Sequence, residues 1–314
     1  MRLLITGCTG FLGRNISEGG VLNGYHMLGV SRSARPEGWC GDYLQRNRLS
    51  DLDPVIHDFS PDVIMHVAGP ASVDASFVDP LTDQSASVLT WINLLDSVRR
   101  SEVMPLVVFP SSAAVYGNPQ VLPIAEDSAI APISPYGFHK AACELIAREY
   151  SECFGLDIVV CRFFSLFGVA QQRLLVWELY EQLAGNDSTV WLEGTGTESR
   201  DYLDVNDATS AVFHLIMNRL AARNQRSHSG GETFIVNIGS GEETNVLHLA
   251  AQLRDLVAPG KRICCRGNQQ RGAPQRWCAD VSRLRSLIPQ WQPSVLSKSL
   301  AECVASWHNC HNVV

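Results

Sequence analysis

Three side chains in the first half of the chain have the types and spacing needed to move a proton at a carbinol carbon. Tyr136 and Lys140 are four residues apart, so a helix would place both on one face. A phenol is a poor base at neutral pH, but a nearby ammonium stabilises the phenolate. Ser112 can hydrogen-bond the oxygen that the tyrosine deprotonates. We predict that Ser112, Tyr136 and Lys140 catalyse hydride transfer, with Tyr136 as general acid or base.

A glycine motif near the start of the chain is typical of dinucleotide binding. Gly7, Gly10 and Gly13 stand at G-x-x-G-x-x-G spacing directly after an apolar run. Glycine lets a pyrophosphate approach the backbone, and the helix that follows presents unpaired amides to the phosphates. We predict that these residues, 7–13, form a cofactor loop for NAD or NADP. The other predicted cofactor contacts are Thr9, Phe11, Leu12, Ser31, Arg32, Arg35, Asn47, Ala68, Gly69, Tyr136 and Lys140.

The residues after the second predicted strand bear on which dinucleotide binds. An acidic residue there would accept hydrogen bonds from the adenosine ribose, whereas an arginine would neutralise a 2′-phosphate. The sequence has Ser31, Arg32 and Ser33 with Arg35 nearby, and no acid. NADP is therefore favoured, and NAD stays open because the arginines can simply be solvated. Asn47 is the candidate contact for the adenine edge.

Short apolar runs predict the strands that position these groups. Each is brief and rich in Val, Ile, Leu or Phe, and helix-length segments lie between them. They cover residues 2–6, 25–31, 63–67, 106–111 and 158–163. This alternation is typical of parallel βαβ units. The predicted fold class is α/β, a Rossmann-type doubly wound parallel sheet with a smaller interleaved α/β substrate-binding lobe.

The elements of the second half are less regular. Helical periodicity predicts helices over 206–219 and 245–256, with Asn245 as the N-cap of the second, and 233–238 reads as a strand. The polar stretch 219–231 predicts an exposed loop. We expect residues 1–168 to form the dinucleotide-binding domain, with parts of 200–240 returning to it, and residues 169–314 to form mainly the smaller lobe.

Composition excludes several classes of protein. The 314 residues are 46% hydrophobic and 18% charged with a net charge of −7, as in ordinary globular proteins. The mild acidity argues against nucleic-acid binding. No apolar stretch approaches the roughly 18 residues that span a bilayer, and the N-terminus lacks a signal core, so we expect no membrane partner and a cytoplasmic location.

The ten cysteines do not indicate a disulfide scaffold, because the chain is long and contains no C-x-x-C pair. We interpret them as mostly reduced. The C-terminal Cys303, His308, Cys310 and His311 fit no zinc spacing, so no metal site is predicted. A basic segment, 261–285, holds seven basic residues and one acid, which favours an anionic small-molecule ligand.

Further motifs occur in an order that resembles the extended short-chain dehydrogenase/reductases of the nucleotide-sugar epimerase/dehydratase family. His66-Val67-Ala68-Gly69 resembles the family's turn beside the cofactor, and residues 162–168 resemble its R-x-F-N-x-Y-G segment. The G-x-G at 194–196 followed by Arg-Asp-Tyr-Leu-Asp-Val-Asn-Asp at 200–207 resembles a third landmark. The resemblance covers nearly the whole chain.

The resemblance implies a nucleoside diphosphate sugar in the second lobe. Arg200 and Arg276 would approach its nucleotide and diphosphate, because guanidinium groups present forked donors to phosphate oxygens. The remaining substrate contacts would be Ser112, Ala113, Tyr136 and Ser165. The helices near 81–100 and 136–154 resemble those with which the family forms a homodimer through a four-helix bundle.

Departures from the family pattern narrow the chemistry. Ser165 and Ser87 stand where Asn is common. Ala113 and Ala114 stand where the 4,6-dehydratases carry an Asp-Glu pair and the 3,5-epimerase/reductases carry a Cys at the first position. Methyl groups do neither job, which leaves oxidation or reduction at one carbon, most simply C4.

Three functions remain open. The leading hypothesis is 4-epimerisation of a nucleotide sugar through a transient 4-keto intermediate. The alternative is an NADPH-dependent reductase of a 4-keto sugar, favoured by Ser31 and Arg32. A redox sensor that binds the dinucleotide without catalysis belongs to another class, and the intact set Ser112, Tyr136 and Lys140 argues against it.

Overall fold

A computed structural model describes residues 1–225, 230–268 and 270–311, without the side chains of 310 and 311. Its strands are β1 (Arg2–Thr6), β2 (His26–Ser31), β3 (Asp42–Gln45), β4 (Val63–His66), β5 (Leu106–Ser112), β6 (Asp157–Phe163), β7 (Ser165–Phe167), β8 (Thr189–Leu192), β9 (Ser199–Asp204), β10 (Thr233–Ile238), β11 (Glu243–Asn245) and β12 (Arg262–Cys265).

The α-helices are α1 (Phe11–Leu22), α2 (Asp53–Phe59), α3 (Val73–Val78), α4 (Pro80–Gln84), α5 (Thr90–Arg100), α6 (Pro135–Phe154), α7 (Leu175–Ala184), α8 (Val205–Asn224), α9 (Val246–Val257), α10 (Ser282–Leu287) and α11 (Leu296–His311). A π-helical turn at Ser85–Leu89 joins α4 to α5, and a 3₁₀ turn at Ala113–Tyr116 follows β5. Within the described ranges no helix is both long enough and apolar enough to cross a membrane.

The main sheet has seven strands in the order β10-β6-β5-β4-β1-β2-β3, and all its pairs are parallel. The five strands predicted from the first half agree with the structure to within one residue at each end. The strand order reverses between β1 and β4, which is where open α/β sheets form a ligand crevice. The predicted Rossmann-type fold class is confirmed.

Apolar cores cover both faces of the sheet, which explains why its central strands are apolar without alternation. One face packs Leu3, Ile5 and Met65 against α8, and the other packs Leu4 and Ile64 against α5 and α6. These helices fix the strand ends, and with them the loops that follow.

A smaller set of elements lies beside the main sheet. It contains a three-stranded sheet, β11-β9-β7, and the pair β12-β8. Its separate core includes Phe167, Tyr180, Val190, Leu249 and Trp307. β10 follows β7, β8 and β9 in the chain, yet it pairs with β6 of the main sheet.

The second-half predictions hold in part. Asn245 caps α9 by accepting hydrogen bonds from the amides of Leu247 (2.9 Å) and His248 (3.3 Å). The exposed loop predicted over 219–231 is wrong at its start, because α8 continues to Asn224. The additional turn contains Arg223, whose Nε lies 3.1 Å from Asp157 Oδ2 of β6. Residues 226–229 of the predicted loop lie outside the described ranges.

Candidate active site

The cofactor loop is pressed against the turn that follows β4. Gly7 has φ +72°, and a Cβ there would lie 2.5 Å from the Ala68 amide nitrogen. A Cβ at Gly13 would lie 2.2 Å from the Gly7 carbonyl oxygen. These two positions therefore require glycine, and the close contact brings Ala68 and Gly69 beside the loop.

The residues of this loop fit a dinucleotide. Gly10 is the N-cap of α1, and no side chain caps the helix. The amides of its first turn, which includes Phe11 and Leu12, are therefore free to bind phosphate oxygens. Gly10 is exposed, and a Cβ there would meet only the Gly7 carbonyl oxygen, at 3.5 Å. The loop thus presents bare backbone where a pyrophosphate would bind.

Ser112 and Tyr136 are positioned by two elements in direct contact. Ser112 is the last residue of β5, and its Oγ accepts a hydrogen bond from the Ala114 amide (3.1 Å). α6 begins at Pro135, and Ser134 caps it by accepting a hydrogen bond from the Gly137 amide (3.1 Å). A Cβ at Gly137 would lie 2.6 Å from the Ala114 carbonyl oxygen, so the start of α6 packs directly on the turn after Ser112.

Lys140 is held beside Tyr136. Its Nζ donates to the Pro110 carbonyl oxygen (2.7 Å) and lies 5.7 Å from the centroid of the Tyr136 ring. Tyr136 is 9% exposed, and no described residue hydrogen-bonds its phenol oxygen. The structure therefore brings together the three residues predicted to be catalytic and leaves the phenol oxygen available to a ligand.

His66 is the last residue of β4, and its side chain is buried. Burial, assisted by the charge of Lys140, lowers the pKa of His66 to about 3. Its Nδ1 is 2.9 Å from Thr6 Oγ1, and its ring stacks on Trp91 with centroids 5.3 Å apart. An imidazole with so low a pKa is a poor base, so His66 supports the turn that carries Ala68.

Two contacts that support α6 were missed by sequence reasoning. Ser76 Oγ accepts a hydrogen bond from the Tyr136 amide (3.1 Å). His139 Nδ1 lies 2.5 Å from Asp83 Oδ2, and this buried pair ties α4 to α6 next to Lys140. Neither pair gives a local sequence signal, because the partners are far apart along the chain.

The side chains predicted to contact the adenosine end of the cofactor differ in whether they already have hydrogen-bond partners. Ser31 ends β2, and its Oγ lies 2.9 Å from Thr9 Oγ1 of the cofactor loop. The Arg32 guanidinium is exposed and bonds to none of the described residues. Arg35 instead donates to the carbonyls of Trp39 (3.0 Å) and Gly41 (3.4 Å). Asn47 is exposed and lines an open cavity beyond β3.

On the opposite side, β7 and β9 carry predicted substrate contacts. Ser165 begins β7 and pairs with Tyr202 of β9, while Ala113 is fully buried. The half-buried Arg200 donates to the Ser199 carbonyl oxygen (2.8 Å) but forms no ion pair with a described carboxylate. Burial lowers the pKa of its guanidinium. A guanidinium in such surroundings that forms no salt bridge, and feels only the charge of the nearby Glu198, favours an anionic ligand.

Arg276 is near Arg200 but, unlike Arg200, forms a salt bridge with a carboxylate. Its backbone bridges to Ser199, the neighbour of Arg200. Its guanidinium, however, donates to both carboxylate oxygens of Glu243, at 2.7 and 2.6 Å, and this lowers the pKa of Glu243. Trp277, which sequence reasoning missed, places its ring 5.5 Å from the Arg200 guanidinium. Arg276 must exchange Glu243 for phosphate if it is to bind a diphosphate.

Metal-binding side chains do not cluster in the described part of the chain: no group of three His, Cys, Asp or Glu is close enough to hold an ion. Of the C-terminal residues named above, Cys303 is buried, and the side chains of Cys310 and His311 lie outside the described part.

Comparison with known proteins assigns the chain to a family. Residues 3–256 match the profile of the NAD dependent epimerase/dehydratase family. A putative UDP-glucose 4-epimerase of Methanocaldococcus jannaschii is 27% identical, covering 99% of both chains. A UDP-glucose 4-epimerase of Mycolicibacterium smegmatis is 28% identical, covering 98% of this chain and 99% of that one.

A solved structure has the same fold. It is a UDP-glucose 4-epimerase of Stenotrophomonas maltophila with bound NAD and formylated UDP-arabinopyranose, with a TM-score of 0.88, 21% identity and 100% coverage of both chains. With the family profile matching most of its length, the chain belongs to the NAD dependent epimerase/dehydratase family.

Proposed function

We propose that the protein is a UDP-sugar 4-epimerase that acts through a 4-keto intermediate. The observation that carries the proposal is the packing of α6, with Tyr136 and Lys140, against the end of β5 at Ser112. No described residue hydrogen-bonds the phenol oxygen of Tyr136. The Arg200 guanidinium, which forms no salt bridge with a described carboxylate, supports a diphosphate ligand nearby. The names of the two relatives support uridine as the base.

Each residue has one task in this mechanism. Tyr136 Oη accepts the proton of the C4 hydroxyl and later returns it, while Ser112 Oγ hydrogen-bonds the same oxygen. Lys140, anchored by the Pro110 carbonyl oxygen, stabilises the phenolate. A dinucleotide held by the loop 7–13 would supply reversible hydride transfer at C4. The buried Ala113 and the adjacent Ala114 offer only methyl groups, so they cannot eliminate water from the sugar.

The direct test is incubation of the purified protein with UDP-glucose, UDP-galactose and UDP-N-acetylglucosamine, with products separated by anion-exchange chromatography. We expect at least one sugar to be converted to its C4 epimer with catalytic amounts of cofactor and no net change in reduced nicotinamide. Absence of epimerisation with every UDP-sugar, in protein shown to bind cofactor, would contradict the proposal.

The second candidate is an NADPH-dependent 4-keto sugar reductase, and the arginines after β2 favour it. The Arg32 guanidinium is unpaired among the described residues, so its donors are available to a 2′-phosphate. A reductase consumes NADPH in proportion to product, so stoichiometric oxidation of NADPH by a 4-keto sugar would select this candidate over the epimerase. For either candidate we propose that NADP binds more tightly than NAD.

We also propose a homodimer that forms through α6 and the helical stretch from α4 to α5. Phe138 and Leu145 are two turns apart on one face of α6 and are 59% and 69% exposed. Leu81 and Leu89 of the neighbouring stretch are 70% and 54% exposed. A second copy that covers these side chains would form a four-helix bundle.

Replacing Leu145 by glutamate is expected to dissociate this dimer. Burial of a leucine stabilises by about 1.5–3 kcal/mol, and the change occurs in both copies, so dimerisation should weaken by about a hundredfold or more. Sedimentation equilibrium measures the effect. Leu22→Glu, at the exposed end of α1, is the matched control and should stay dimeric. A Leu145→Glu protein as dimeric as wild type would exclude this surface.

A further inference from the structure

The cofactor site continues past β2 onto β3. Ser31 pairs with Gln45 across the two parallel strands, and the amide of the next residue, Arg46, donates to the Ser31 carbonyl oxygen (2.8 Å). Ser31 in turn contacts Thr9 of the cofactor loop. Arg46 therefore lies beside Ser31, at the end of the sheet that would face the adenosine ribose.

Arg46 is a free cation at this place. Its side chain is exposed and forms no hydrogen bond or ion pair with any described residue, and the same holds for Arg32. Arg35, the other arginine predicted to contact the cofactor, is bound to two backbone carbonyls of its own loop. Arg32 and Arg46 are therefore available to a ligand, whereas the Arg35 side chain stabilises its own loop.

The surroundings of Arg46 favour an anion. It lines an open cavity of about 540 Å³ with Gln45, Asn47, Arg48, Ser50 and Asp51. The single acid of this lining, Asp51, lies 3.8 Å from the Arg100 guanidinium, which partly offsets its charge. Arg48 is exposed and likewise unpaired among the described side chains. The cavity is therefore positively charged, and it opens next to the end of β2.

We propose that Arg46, together with Arg32, binds a phosphate monoester on the adenosine ribose, so that β3 as well as β2 selects a 2′-phosphorylated dinucleotide. The proposal rests on the dinucleotide site of the proposed function and assigns its specificity to a residue that sequence reasoning overlooked. A phosphate monoester carries a charge of about −1.5 to −2 at neutral pH, and two forked guanidinium groups match its oxygens.

Calorimetric titration with 2′,5′-ADP and with 5′-ADP tests this without any sugar substrate. Wild type should bind 2′,5′-ADP more tightly. Arg46→Ala should weaken that binding about tenfold to a hundredfold while 5′-ADP binding changes less than about twofold, because only the 2′-phosphate loses a charged hydrogen bond. Arg46→Lys keeps the charge without the fork and should fall between. Arg148→Ala, which removes an exposed arginine of α6 that pairs with Glu152, is the control and should leave the ratio of the two affinities unchanged.

The outcomes separate the two proposals. Equal weakening of both ligands by Arg46→Ala, or equal binding of both ligands by wild type, overturns the role of Arg46 and leaves the dinucleotide site intact. A wild-type protein that binds neither ADP derivative nor either dinucleotide overturns the dinucleotide site itself, and with it the proposed function. A selective loss of 2′,5′-ADP binding in Arg46→Ala that Arg148→Ala does not reproduce supports the inference.

Discussion

Replacing Tyr136 by phenylalanine is expected to lower kcat by about 10²- to 10⁴-fold, the usual contribution of a general acid or base. The phenol oxygen forms no hydrogen bond with the described residues, so its removal should cost the fold little. The ring remains to fill its place beside Lys140. We therefore expect the thermal midpoint and the affinity for the dinucleotide to stay close to wild type while turnover is lost.

Tyr150→Phe is the matched control for this experiment. It makes the same change on the same helix at a buried tyrosine remote from Ser112, and turnover should be unaffected. Steady-state kinetics on the UDP-sugar found by screening, together with calorimetry for cofactor binding, distinguishes the two variants. If Tyr136→Phe kept more than about a tenth of wild-type kcat, another group would have to serve as the base.

The second large effect is expected at a buried ion pair that joins α6 to the sheet. The Glu144 carboxylate accepts hydrogen bonds from Arg162 Nη2 (2.7 Å) and Ser111 Oγ (2.5 Å). Arg162 Nη1 also donates to the Tyr116 hydroxyl (2.8 Å), which donates to Asn237 Oδ1 (2.7 Å). The network thus connects α6, β5, β6, the turn after Ser112 and β10.

Glu144→Gln is expected to lower the free energy of unfolding by about 3–5 kcal/mol, because it leaves the buried Arg162 charge without its partner. Urea denaturation at constant pH measures this loss. Glu152→Gln, which breaks the exposed pair of Glu152 with Arg148 on the same helix, is the control and should remain near wild type. Similar losses in the two variants would mean that burial does not set the strength of the inner pair.

The first half of the fold could be predicted because its signals are local. Each central strand is buried on both faces and reads as one short apolar run, and the N-cap Ser134 with Pro135 marks the start of α6. The end of α8 could not be predicted in this way. Its last turn carries no apolar periodicity, and there Arg223 pairs with Asp157, a residue of β6 far away along the chain (3.1 Å).

In the candidate site, too, local signals could be predicted and contacts between distant residues could not. Tyr136, Lys140 and the glycines have characteristic spacings, and Ser112 follows an apolar run, so these residues can be predicted as site candidates from the sequence. Arg46 becomes visible only through the register of β3 against β2, and Trp277 only through its position next to Arg200. The engagement of Arg276 by Glu243 is equally invisible in the sequence, because it depends on which side chains meet after folding.

The late return of β10 to the main sheet constrains how the chain can be made. β6 is buried along its whole length, and β10 covers its outer side. During synthesis the ribosome completes β6, then β7 to α8, before β10 emerges. Over that interval β6 presents an unpaired apolar edge, the kind of edge that promotes aggregation. A nascent chain stalled before Thr233 should therefore depend on chaperones, whereas in a chain extended past Ile238 β10 can pair with the edge of β6.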